Sequence, residues 1–151
     1  MRAGGTLISF DTNYRSTGWT DSLQAIEAMD AVSSVSTVVL ATLDDEAALH
    51  GVQSVGDAAQ RLRALGVPEV VVKAGAQGAL VLANDCAAEI PARRVENVVD
   101  TTSAGDAFAG GYLASRMAGR GPAEAARVGA EVAATVVSHP GAIIPDSVPV
   151  F

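Results

Sequence analysis

Three short apolar runs, at 6–10, 37–41 and 70–72, end at Asp11, Thr42 and Lys73, and the stretches between them carry apolar residues at helical spacing. That alternation predicts strands joined by helices, and so an α/β fold: a mostly parallel sheet covered by helices. Val70, Val71 and Val72 form an unbroken apolar run, which suits a parallel strand covered on both faces. Sites in such sheets open beyond the carboxyl ends of the strands. Asp11, Thr42, Lys73 and, further on, Asp100 are therefore expected to face one crevice.

The spacing predicts helices over 21–32, with Thr20 or Asp21 as N-cap, and over 55–65, stopped by Gly66 and Pro68. Asp44, Asp45 and Glu46 place acids in the first turn of a short helix that ends near Gly51. After Lys73 the pattern changes. Residues 79–83 and 87–91 read as two strands joined by Asn84-Asp85, an antiparallel hairpin. Residues 104–118 and 122–138 are expected to be the two longest helices, with Pro122 at a favoured first position. Val95, Val98 and Val99 suggest a strand end just before the first of these. No repeat or composition shift divides the 151 residues into two domains.

The chain is 49% hydrophobic, 4% aromatic and 18% charged, the balance of an ordered α/β protein. A net charge of −7 argues against broad nucleic-acid or anionic-membrane binding, which needs a basic face. Cys86 is the single cysteine, so it has no partner for an internal disulfide or metal pair, and a reducing cytoplasm is the simplest setting. No stretch reaches the roughly 18 apolar residues of a membrane span, and no export signal is visible. His50 and His139 stand apart from any recognised site. No G-x-G-x-x-G follows the first strand, which disfavours a dinucleotide oxidoreductase.

The chemistry concentrates in Asp100-Thr101-Thr102-Ser103-Ala104-Gly105-Asp106-Ala107-Phe108, where small residues lie between two carboxylates at a helix start. Unpaired N–H donors and the helix dipole make such a turn a phosphate site, and Asp106 would take a proton from an attacking hydroxyl. The plainer alternative is that Asp106 or Asp100 caps the helix. Arg15, with Asn13, follows the first strand and suits a two-pronged grip on a phosphate or carboxylate, although a solvated loop arginine has the same spacing. Gly75 and Gly78, after Lys73, let main chain lie close to a ligand; an isolated G-x-x-G is also a routine turn.

The run at 100–108 resembles the C-terminal signature of the ribokinase-like (PfkB) sugar kinases, usually D-T-x-G-A-G-D, with Ser103 in place of the first glycine. Phe10-Asp11-Thr12-Asn13-Tyr14-Arg15, Thr42-Leu43-Asp44-Asp45-Glu46, Val71-Val72-Lys73-Ala74-Gly75, Gly110-Gly111-Tyr112-Leu113-Ala114 and Gly141-Ala142-Ile143-Ile144-Pro145 resemble, in that order, the subgroup acting on the acid sugar 2-keto-3-deoxygluconate. The resemblance runs from about Leu7 to Pro145. It implies the C-terminal part of a ribokinase-like fold, with ATP and Mg2+ as cofactors and a small acidic sugar as acceptor. By resemblance Asp106 is the catalytic base and a sugar contact, and Ser103, Ala104 and Gly105 form the anion hole. Asn13, Tyr14, Arg15, Lys73, Gly75 and Gly78 approach ATP, and Arg15 also reaches the sugar. Glu46 stands where the family's N-x-x-E acid organises magnesium through water, but Leu43 replaces the asparagine.

Family members are about twice as long, so residues 1–151 are expected to be the nucleotide-binding and catalytic portion, with the N-terminal half, its lid and most sugar contacts absent. The rival expectations are a nucleotide-binding remnant without turnover, and a fragment that works with a complementary N-terminal half or as a homo-oligomer.

Overall fold

A computed structural model describes residues 7–145 and 147–149. The chain forms two compact units: the described residues up to Ala74 with Leu80–Ala87, and Gly75–Ala79 with the described residues from Ala88 onward. Five strands, β1 (Ser9–Asp11), β2 (Val38–Thr42), β3 (Glu69–Lys73), β4 (Ala79–Ala83) and β5 (Cys86–Ile90), form one sheet in sequential order. The β1–β2 and β2–β3 pairs are parallel. The links at 74–78 and at Asn84-Asp85 are too short for a crossover, so β4 and β5 are added antiparallel. This is the expected mostly parallel sheet with a hairpin.

In the first unit, α1 (Ser22–Val35), α2 (Leu43–His50) and α3 (Val55–Ala64) supply the crossovers. Each begins where a side-chain oxygen takes an orphan N–H: Asp21 accepts from Gln24 (2.8 Å), Thr42 from Asp45 (3.2 Å) and Ser54 from Asp57 (3.1 Å). Thr42 is thus both the last residue of β2 and the cap of α2, and its hydroxyl is spent on the helix. Val39, Ala41, Val70 and Val72 share one face of the sheet and pack with Ala58, Ala59 and Leu62 of α3. Burying each Val or Leu contributes about 1.5–3 kcal/mol. Leu40 and Val71, on the opposite face by the period of two, are buried as well, as the unbroken apolar run implied.

An ion network ties the three helices together. The Arg61 guanidinium of α3 donates to both oxygens of Glu46 on α2 (2.8 and 3.2 Å) and to Asp30 on α1 (2.9 Å). His50 lies 3.9 Å from Asp30, its buried Nε2 without a hydrogen-bond partner. Burial and then the Arg61 charge hold His50 below its ordinary value, against the opposing pull of Glu46 and Asp30. The unfolded chain therefore binds a proton first as pH falls, so this group subtracts stability below about pH 6.5 and not above it. Urea unfolding at about pH 7.5 and 5.5 should show an acid-side loss that His50→Gln reduces; an unchanged slope in the variant would remove His50 from the account.

In the second unit, α4 (Ala104–Met117) and α5 (Pro122–Val136) pack at close range. A Cβ on Gly129 would lie 2.7 Å from the Phe108 carbonyl oxygen, and one on Gly111 would lie 2.8 Å from Val132 Cγ2, so small residues set this crossing. Phe108 and Tyr112 stack with ring centroids 6.4 Å apart. Arg93 pairs with Glu131 on the exposed side.

Several expectations shift. α1 runs three residues past Val32 and equals α4 in length, so 104–118 is not longer than every helix outside 122–138. Thr6, proposed as the start of the first strand, lies outside the described residues. Residues 91–103 contain no strand: Val98 and Val99 are 59% and 56% exposed, and the amides of Val99 and Asp100 donate to the Val137 carbonyl at the end of α5. Asp100 therefore follows no strand, unlike Asp11, Thr42 and Lys73.

Candidate active site

The candidate residues fall into two groups, one in each unit. The first is the turn into α4. Ser103, the N-cap, has φ 59° and ψ 14°, a left-handed conformation that L-residues disfavour, and its side chain makes no capping bond. The glycine usual here in the resembling signature would meet this backbone without penalty. Ser103→Gly relieves about 1 kcal/mol of strain and loosens the unfolded chain by a similar amount, so melting should hardly move. Ser103→Val, β-branched, should lose about 1–2 kcal/mol in thermal unfolding. Equal stability of the two variants would contradict the left-handed assignment.

Asp100 organises the turn from below. Its carboxylate accepts from the Thr102 amide (2.8 Å) and from the Gly141 amide (2.9 Å). Hydrogen bonds from Thr102, side chain and then main chain, and from Gly141 hold its carboxyl below the ordinary value. The acid thus cross-links residues 100–102 to the segment after α5 and does not cap α4.

The expected anion hole needs one correction. The Ala104 amide donates to the Thr101 carbonyl at 3.2 Å, so Ala104 brings a small side chain and not an open N–H. The amides of Ser103, Gly105 and Asp106 donate to no other described residue. The Ala107 amide closes the first helical bond, to Ser103 (2.8 Å). Asp106 is exposed, and no donor or cation among the described residues engages its carboxylate. A capping role would have consumed it.

The second group lies at the strand ends of the first unit. Thr12 donates its amide to Leu40, and Asn13 takes φ 36°, a second left-handed non-glycine residue. The Tyr14 amide donates to Asp45 Oδ2 (3.2 Å), and exposed Arg15 folds its Nη1 onto the Tyr14 carbonyl (2.9 Å). Sequence reasoning missed Asp45 as this anchor; its place in an acidic first turn disguised it. Lys73 Nζ donates to Asp11 Oδ2 at 2.8 Å. Asp11 and Lys73 both close apolar strand runs, which is the one signal that linked them.

Gly75 and Gly78 differ. Gly75 (φ 54°) is exposed, with nothing within 4 Å of an added Cβ, and its carbonyl accepts from the Gly78 amide (3.1 Å). Gly78 (φ 97°) is walled by Ile90 and Ala92, a sufficient structural reason for glycine there. Glu46 departs from its expected water-mediated role near magnesium: it is 2% exposed and both oxygens are held by Arg61. Among the described residues no group of three or more His, Cys, Asp or Glu is placed to hold a metal, and no helix is long and apolar enough to cross a membrane.

Lys73 at a strand end of one unit and, in the other, a helix start with open amides are each of a kind suited to phosphate in an α/β protein. The chain belongs to the pfkB family of carbohydrate kinases, whose model matches residues 1–149. It is similar to the 2-dehydro-3-deoxygluconokinases of Escherichia coli strain K12, 42% identical over 147 residues (95% of this chain, 48% of the relative), and of Dickeya dadantii, 40% identical over 147 residues (95% and 47%). Among solved structures it resembles a PfkB protein from Polaromonas sp. JS666, with TM-score 0.82 and 31% identity over 91% of this chain and 45% of that one. It also resembles aminoimidazole riboside kinase from Salmonella enterica complexed with aminoimidazole riboside and an ATP analog, with TM-score 0.80 and 32% identity over 90% and 47%. The chain spans about half the length of the curated relatives it matches.

Proposed function

We propose that this chain supplies the nucleotide-binding and catalytic portion of a cytoplasmic kinase that transfers a phosphoryl group from ATP to a hydroxyl of 2-dehydro-3-deoxygluconate or a closely related acid sugar. The observation that carries the reading is the exposed, unengaged Asp106 at a helix start with open amides; the 2-dehydro-3-deoxygluconokinase relatives supply the acceptor.

In this reading Asp106 accepts the proton of the sugar hydroxyl as its oxygen attacks phosphorus, and the amides of Ser103, Gly105 and Asp106 stabilise charge on the transferred group. Lys73 and Arg15, with exposed Gly75, meet the phosphates, and Arg15 also selects the sugar carboxylate. Magnesium, when bound, would neutralise phosphate charge, and it ordinarily takes only one or two carboxylates beside phosphate oxygens and water, a demand that does not require the acidic cluster missing among the described residues.

A second reading rests on β1. It is the edge of the sheet, and Leu7 and Ile8 beside it are exposed, so the chain would work only with a complementary N-terminal half or another copy covering that edge. Titration with ATP·Mg, and phosphorus NMR of a mixture with the acid sugar, separate the two. Binding with a sugar phosphate product supports the first reading; binding without product supports a nucleotide-binding fragment; no nucleotide binding by the chain rejects the first reading, and none with a complementary half present rejects the second. Light scattering reports whether copies associate.

A further inference from the structure

Asp11 pairs in register with Leu40 and Lys73 with Thr42, so the two charged side chains leave the same face of the sheet, diagonal across β2. Lys73 is 8% exposed, and Asp11 Oδ2 is its acceptor among the described residues. An ammonium carries three N–H donors, so two remain for a ligand. A flexible four-carbon stem loses rotamer entropy when a ligand must order it. A carboxylate that orders it beforehand removes that cost from binding.

We propose that Asp11 is a positioning residue: it pins the Lys73 ammonium so that its two remaining donors present a ready seat for phosphate oxygens of the nucleotide. The inference rests on the reading of Lys73 as a nucleotide contact. The test is titration of the full chain with ATP·Mg for Asp11→Asn, Asp11→Glu, Lys73→Met and the Asp11→Asn/Lys73→Met pair, each verified as folded by circular dichroism. Asp11→Asn should weaken binding about tenfold, the size of a charge-assisted hydrogen bond. Asp11→Glu should recover part of it, and Asp11→Asn should add nothing once Lys73 is Met. A purely structural role would shift melting and leave the affinities of the folded variants alone. Affinity of Asp11→Asn within about twofold of the unaltered chain, or an equal loss in both Lys73 backgrounds, overturns the inference and spares the kinase reading. If the unaltered chain binds no ATP, both fall.

Discussion

Asp106→Asn should lower the rate of phosphoryl transfer from ATP to 2-dehydro-3-deoxygluconate by about 10²–10⁴-fold, the usual worth of a positioned general base. That is about 3–5 kcal/mol of transition-state stabilisation. ATP affinity and melting temperature should barely move, because the carboxylate is exposed and engages no described residue. The measurement is single-turnover kinetics in the preparation that turns over, whether the chain alone or the chain with a complementary half. Asparagine keeps the shape and removes the proton acceptor, so near-normal turnover would leave Asp106 without its assigned task. A parallel loss of melting temperature would show a structural role instead.

Gly78→Ala should be the most damaging single methyl group in the described structure. The added Cβ would stand 2.1 Å from the Ile90 carbonyl oxygen and 2.8 Å from the Ala92 amide nitrogen, on a backbone at φ 97°. Both obstacles are main chain, so a rotamer change cannot relieve them. A loss of about 4 kcal/mol is expected, lowering the melting temperature by about 10 °C in a chain of this size. Gly75→Ala is the control: its φ of 54° adds about 1 kcal/mol of strain, and nothing lies within 4 Å of the new carbon. If Gly78→Ala melts within about 2 °C of the unaltered chain, the tight approach to β5 is absent.

What the sequence revealed, it revealed through local chemistry. Asp21 sits where an N-cap must, and the Val70-Val71-Val72 run could only be buried on both faces. Asp106 was legible from its place after Ser-Ala-Gly at a helix start, although the open amides differ by one from the expected set, because Ala104 turns back to Thr101. Residues 91–103 misled because β-branched residues favour strands, while Val98 and Val99 lie exposed and no strand pairs with them. The Asp30–Arg61–Glu46 network joins residues up to 31 positions apart, and no local pattern signals such a bond. The same applies to Asp45 under Tyr14, also 31 apart. An acid in a first turn reads as dipole compensation until the loop that folds over it is seen.

The Asp100 carboxylate holds one peptide two positions downstream and another 41 positions away. Nicking the chain between His139 and Gly141 would consequently do more than shorten it. With the far strut gone, the turn before α4 would keep only the Thr102 contacts and the bonds of Val99 and Asp100 to Val137, and damage far along the chain would be felt as slackness at the start of α4.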